Sequence, residues 1–118
     1  VPILEAKGIE IETDIRLPKG SVSLSMEKRK NLFLIFKETI NNMAKHAQAS
    51  RAWISMRMHG NNLALAIKDN GAGFDSTTPT NRNGLRNIRD RSDEIGGQLE
   101  IRSEPGIGTE LSITVAVP

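Results

Sequence analysis

One stretch constrains this chain more than any other. An apolar run, Leu63-Ala64-Leu65-Ala66-Ile67, leads through Lys68 into an acid and two spaced glycines, Asp69-Asn70-Gly71-Ala72-Gly73. Alternation places Leu63, Leu65 and Ile67 on one face of a strand, and the same count of two puts Asp69 there as well. A carboxylate directed at the apolar side of a sheet requires a donor waiting for it, because an unpaired buried charge is costly. Gly71 and Gly73 have no Cβ, so the backbone after the acid can turn tightly and let another molecule approach closely. A solvated Asp-Asn-Gly turn at a strand end is the alternative reading of the same residues.

The rest of the chain frames that stretch. Its 118 residues make one domain with room for a core. Val1 rather than Met opens it, so residues 1–7 are expected as a leader from a missing upstream segment and residues 8–118 as the domain. Ile9, Ile11, Ile15 and Leu17 alternate with Glu10, Glu12, Asp14 and Arg16, the pattern of a half-buried strand. Ser25 can cap a long helix over 26–48, with Glu27 in its first turn and a core stripe of Phe33, Phe36, Ile40, Met43 and Ala47. A strand over 51–59 follows, with Ala52, Ile54, Met56 and Met58 on one face, and Gly60-Asn61-Asn62 turns it into the strand bearing Asp69. Residues 76–82 read as loop. Asn83 can cap a second helix with the stripe Leu85, Ile88 and Ile95, closed by Gly96-Gly97. A last hairpin pairs Leu99 and Ile101 with Leu111, Ile113, Val115 and Val117 across Pro105-Gly106-Ile107-Gly108. This order predicts an α/β two-layer sandwich, a mixed five-stranded sheet with helices on one face.

Composition removes several function classes. A net charge of +2, with only one Trp and three Phe, does not suit a basic, base-stacking nucleic-acid surface. The chain has no cysteine, so no disulfide framework or thiolate metal site exists, which suits a reducing compartment. No apolar run approaches the roughly 18–20 residues of a bilayer span. The spacing from Asp69 to Asp75 superficially resembles a calcium loop, but glycines stand where ligands belong. Two histidines, His46 and His59, give no zinc site, and no phosphate-binding P-loop motif is present.

Three further groups can carry chemistry. Glu38, Asn42 and Lys45 stack in one stripe of the first helix, an acid, an amide and an ammonium suited to a base, a magnesium ligand and a phosphate contact. A solvated helix face is the alternative. Asn83-Gly84-Leu85 opens the second helix, where free N–H groups and the helix dipole favour an anion. Thr109, after Gly106-Ile107-Gly108, shares parity with Leu111 and Ile113 and is directed inward like Asp69. Two polar groups entering one apolar layer predict a pocket between sheet and helix.

In this order, Glu38-Thr39-Ile40-Asn41-Asn42-Met43-Ala44-Lys45-His46, Asp69-Asn70-Gly71-Ala72-Gly73-Phe74, Gly84-Leu85-Arg86-Asn87-Ile88 and Gly106-Ile107-Gly108-Thr109 resemble the N box and the glycine boxes of the Bergerat (GHKL) ATP-binding fold. Gyrase, Hsp90, sensor histidine kinases and MutL share that fold, and the resemblance covers nearly the whole chain from Gly8 onward. Within it the chain is similar to the catalytic domain of two-component sensor histidine kinases. The residues that carry this are Phe74 after Gly73, Lys45-His46-Ala47, and Gly84-Leu85 with Ile88 and Arg91. The short lid resembles the nitrate-sensor-like subfamily. One position departs from the pattern: Arg82 stands where the second glycine box usually begins with glycine.

The resemblance implies a set of roles. Asp69 accepts the adenine exocyclic amine, supported by Thr109 directly or through water. Asn42 ligates Mg2+, and Lys45, with His46 beside it, meets ATP. Glu38 matches the carboxylate that acts as general base in the ATPase relatives, and in a kinase it is the catalytic residue that polarises the attacking histidine. Gly71, Gly73, Phe74, Gly84 and Leu85 complete the nucleotide set, and residues 76–83 form the lid. The implied partners are a dimerisation domain carrying the phosphoacceptor histidine and, downstream, a response regulator. Neither His46 nor His59 is placed to be that acceptor. A monomeric, cytoplasmic fragment contacting neither membrane nor nucleic acid is expected. An anti-sigma-factor-type serine kinase of the same fold, or a non-catalytic nucleotide-binding module, are the alternatives, separated by the acceptor that receives phosphate.

Overall fold

The computed structural model describes residues 5–17, 24–73 and 85–117. Its elements are β1 (Glu10–Arg16), α1 (Met26–Asn42) continued by a π turn (Met43–Ala47), β2 (Arg51–His59), β3 (Asn62–Asp69), α2 (Leu85–Glu94), β4 (Gln98–Glu104) and β5 (Gly108–Ala116). The five strands form one mixed sheet in the order β1-β2-β3-β5-β4, so the last strand lies between β3 and β4. Only β1 and β2 run parallel, as the helical crossover between them requires. The other neighbours are antiparallel.

Alternation divides the sheet into two faces. Ala52 and Ile54 from β2, Leu63, Leu65 and Ile67 from β3, and Leu111, Ile113 and Val115 from β5 are buried together under Ile35, Ile40 and Met43 of the first helical segment and Ile88 of α2. The opposite face is charged. There Arg51 meets Glu10 at 3.1 Å, Arg57 meets Asp14 at 2.8 Å, and the Lys68 ammonium lies 5.6 Å from the Trp53 ring centre. An α/β two-layer sandwich with helices on one face is the result.

Local chemistry explains the element ends. Ser25 caps α1, its hydroxyl accepting the Lys28 N–H at 3.1 Å. Gly96, at φ 64°, closes α2; its N–H donates to Asp93 O at 3.2 Å and the Gly97 N–H donates to Ser92 O at 2.9 Å, the pair of bonds that satisfies a helix's last carbonyls. Gly60, at φ 60°, makes the β2–β3 turn.

Three expectations need correction. Phe33 is 60% exposed, and the buried face of α1 is centred instead on Asn31, Ile35 and Ile40, with Leu32 and Phe36 at its flanks. Five consecutive apolar residues, 32–36, cover a full turn of helix, so periodicity leaves the phase open and Phe33 falls at the margin. The helix also does not stay α to 48: its end widens into the π turn and stops at Gln48, a non-glycine residue at φ 52°. Ala47, expected in the core stripe, has its side chain outside the described residues. β1 is less buried than its pattern suggests, because it is an edge strand with a neighbour on one side only. Ile9, just before its start, is buried, whereas Ile15 and Leu17 towards its other end are exposed.

Candidate functional site

The ends of three neighbouring strands place three polar side chains in a row on the inner face. Asp69 ends β3 and pairs with Thr109 of β5, which pairs in turn with Ser103 of β4. Directly opposed residues of an antiparallel pair project to the same face. Asp69 is only 6% exposed. Its Oδ1 accepts the Gly71 N–H at 2.8 Å, the local partner a buried carboxylate needs. Burial raises the Asp69 pKa above its ordinary value, and the backbone N–H groups of Gly71 and Thr109 act in the opposite sense.

The glycines beside this row are where backbones touch. Gly73 adopts φ 66°, and a Cβ there would lie 2.1 Å from the Glu104 carbonyl oxygen. Gly108 adopts φ 141°, and a Cβ there would lie 2.1 Å from the Asp69 carbonyl oxygen. The Gly106 N–H donates to Ala72 O at 2.7 Å. The loop after β3 and the β4–β5 turn are therefore one interlocked unit around Asp69 and Thr109. Asn70 anchors that unit to the far side: its Oδ1 accepts the N–H groups of Ser50 and Arg51, both at 3.0 Å, and its Nδ2 donates to Ser50 Oγ at 3.0 Å.

The helical constellation sits on other elements. Glu38 lines a cleft of about 180 Å³ between α1 and α2, together with Leu34, Lys37, Asn41, Asn87, Ile88 and Arg91. Asn42 is half-buried at the end of α1, Lys45 is exposed in the π turn, and Leu85 packs half-buried at the start of α2. Phe74 and Gly84, the lid with Arg82, the Asn83 cap and the His46 side chain lie outside the described residues. Among the described residues no cluster of three or more His, Asp or Glu side chains is placed to hold a metal ion. A metal here would have to rest on few protein oxygens such as the Asn42 amide, which suits magnesium, an ion that keeps several of its waters. Asp69 fits a ligand bearing a hydrogen-bond donor.

Ser103 escaped the sequence reading, and Asn87 and Arg91 entered it only as motif positions of the resemblance. Ser103 shares parity with Leu99 and Ile101, so the alternation that found Thr109 would have found it too. Arg91 and Asn87 reach the Glu38 cleft only because α1 packs on α2, which sequence spacing within one helix does not reveal. No described helix is long and apolar enough to cross a membrane.

Comparison with known proteins adds to this geometry. The family model for the histidine kinase-, DNA gyrase B- and HSP90-like ATPase matches residues 27–118. The chain is 35% identical over 123 residues to the sensor histidine kinase YdfH of Bacillus subtilis, covering 97% of this chain and 28% of the relative. It is 29% identical to the nitrate/nitrite sensor protein NarX of Escherichia coli, over 91% of this chain and 18% of that protein. The chain thus spans less than a third of the length of these curated relatives. Among solved structures, full-length ShkA in complex with AMPPNP superposes with a TM-score of 0.75 at 21% identity, over 99% of this chain and 28% of that one. The matched family model, together with the fold it shares with these kinases, places the chain in the histidine kinase-, DNA gyrase B- and HSP90-like ATPase family.

Proposed function

We propose that this chain is the ATP-binding catalytic domain of a sensor histidine kinase, transferring the γ-phosphoryl group of Mg-ATP to a histidine on a separate dimerisation domain. The observation that carries this reading is the buried Asp69 carboxylate at the mouth of two interlocked glycine loops, in a chain of this ATPase family. Asp69 accepts a hydrogen bond from the exocyclic amine of the base, and a charged acceptor makes that bond strong and selective for a donor. Thr109 lies beside it and completes the base contact. Gly71 and Gly73 leave the backbone beside Asp69 open to close approach by the base, and Phe74 belongs to the same nucleotide-binding set.

At the other end, Asn42 offers magnesium a neutral oxygen, and Lys45 and His46 meet the phosphates. Leu85 opens α2, whose N-terminal N–H groups favour an anion, and Gly84 belongs to the same phosphate-binding set. Glu38 orients and polarises the incoming imidazole, holding its proton on the nitrogen away from phosphorus. Bound magnesium would supply charge neutralisation at the phosphates. The partners are the phosphoacceptor domain and then a response regulator. The isolated domain is a monomer in the cytoplasm that touches neither membrane nor nucleic acid.

Calorimetric titration of the domain with a non-hydrolysable ATP analogue tests this. Saturable, magnesium-dependent binding of the analogue is expected; with ATP in its place, phosphate should appear on an added histidine-bearing dimerisation domain, with ADP released, and none on the domain alone. Absence of analogue binding overturns the reading. Transfer to a serine of an added anti-sigma-antagonist partner, with none to histidine, would assign the serine-kinase class instead.

A further inference from the structure

Ser103 has no place in the roles above, yet it is buried, 6% exposed, in the same row as Asp69 and Thr109. Its Oγ lies 3.1 Å from the Gly108 carbonyl oxygen and 2.8 Å from Thr109 Oγ1. A serine hydroxyl has one hydrogen, and a carbonyl oxygen can only accept. With the Ser103 hydrogen on Gly108 O, the short contact to Thr109 requires the hydrogen of Thr109. Reversing the pair would leave two oxygens with no hydrogen between them at 3.1 Å.

We propose that Ser103 is a positioning residue that uses the hydrogen of the Thr109 hydroxyl, so that Thr109 can only accept from a ligand. Beside the Asp69 carboxylate this makes a corner of acceptors alone. It suits a purine with an amino group at its 6-position, directly or through a water that donates. It disfavours a 6-keto purine, whose oxygen would face acceptors on both sides. An unsatisfied polar group of the wrong kind in a buried site costs more than a matched one gains, which is how such a corner discriminates. The inference rests on the nucleotide reading above and adds the residue that sets the polarity of the base contact.

The test compares ATP and inosine triphosphate, which differ in the 6-substituent and in whether N1 carries a hydrogen, by calorimetric titration of wild type, Ser103→Ala, Thr109→Val and the double variant. Removing the Ser103 hydroxyl frees Thr109 to donate. Ser103→Ala is expected to weaken ATP binding by about fivefold, the scale of one oriented hydrogen bond, while leaving inosine triphosphate unchanged or tighter. In the Thr109→Val background the same change should leave the ATP-to-inosine ratio where Thr109→Val put it, because Ser103 acts only through Thr109.

A purely structural serine would lower the melting temperature, or weaken both nucleotides alike, without moving the ratio; that result overturns the proposal and leaves the kinase reading intact. An equal shift of the ratio with and without Thr109 also overturns it. Failure of wild type to bind either nucleotide overturns both readings together. If Ser103→Ala does not fold, Ser103→Cys, similar in shape and a weak donor, carries the same comparisons with the same criteria.

Discussion

At Asp69 burial pushes the carboxyl pKa up, and two backbone N–H groups, from Gly71 and Thr109, offset only part of that effect. A carboxyl with a raised pKa holds more protons folded than unfolded between 3.8 and its folded value. The stability attached to this group is therefore greatest below the unfolded value, falls as pH rises through the folded one, and stays low at neutral pH. Removing the charge but keeping the acceptor shape should separate binding from stability. Asp69→Asn is expected to weaken binding of an ATP analogue by at least about thirtyfold, as loss of a charged hydrogen bond would. Its melting temperature at pH 7 should equal or exceed that of wild type. That advantage should shrink on acidification as the wild-type carboxyl takes up its proton. Melting curves of the two proteins from pH 7 down to pH 4 check the sign, and a gap that widens towards acid pH would contradict it.

Between elements, the glycines behave differently according to what faces them. At Gly73 and Gly108 a methyl group would collide with a backbone carbonyl that has nowhere to go, and the backbone conformation is itself unfavourable for other residues. Gly73→Ala or Gly108→Ala should each cost about 3 kcal/mol or more. Gly60→Ala, also at positive φ but facing open space, should cost only about 1 kcal/mol. Chemical denaturation of the three variants measures the contrast, and equal losses would mean that the interlocking of the two loops contributes nothing. Strand periodicity made β2, β3 and the last hairpin legible from sequence, as well as the inward aim of Asp69 and Thr109, because a period of two fixes both face and register. Helix phase was harder to read. The apolar run 32–36 has no polar break, so only packing against the sheet decides that Asn31 and Ile35 are buried and Phe33 is not. Ser103 was legible by parity but lacked an obvious role until its neighbours were placed beside it.

Across the whole molecule, the family match begins at residue 27, yet β1 lies upstream of it and completes the sheet edge. β1 pairs in parallel with all of Arg51–Arg57, and Ile9, just before it, belongs to the buried core. A chain starting at residue 24 would leave β2 with unpaired N–H and C=O groups along an apolar strand, a template for self-association. Such a truncation should elute from a sizing column as larger species than the 118-residue chain, or aggregate; identical elution of the two would show that β1 is dispensable. The bond from the Gly106 N–H to Ala72 O reaches further than its 2.7 Å suggests. Opening either turn strains or breaks it, so the two should open together, and hydrogen exchange showing matched amide protection in both turns would check this. A ligand settled against either turn therefore slows the opening of both, and the hairpin tip, distant in sequence from the central acid, becomes a built-in reporter of occupancy.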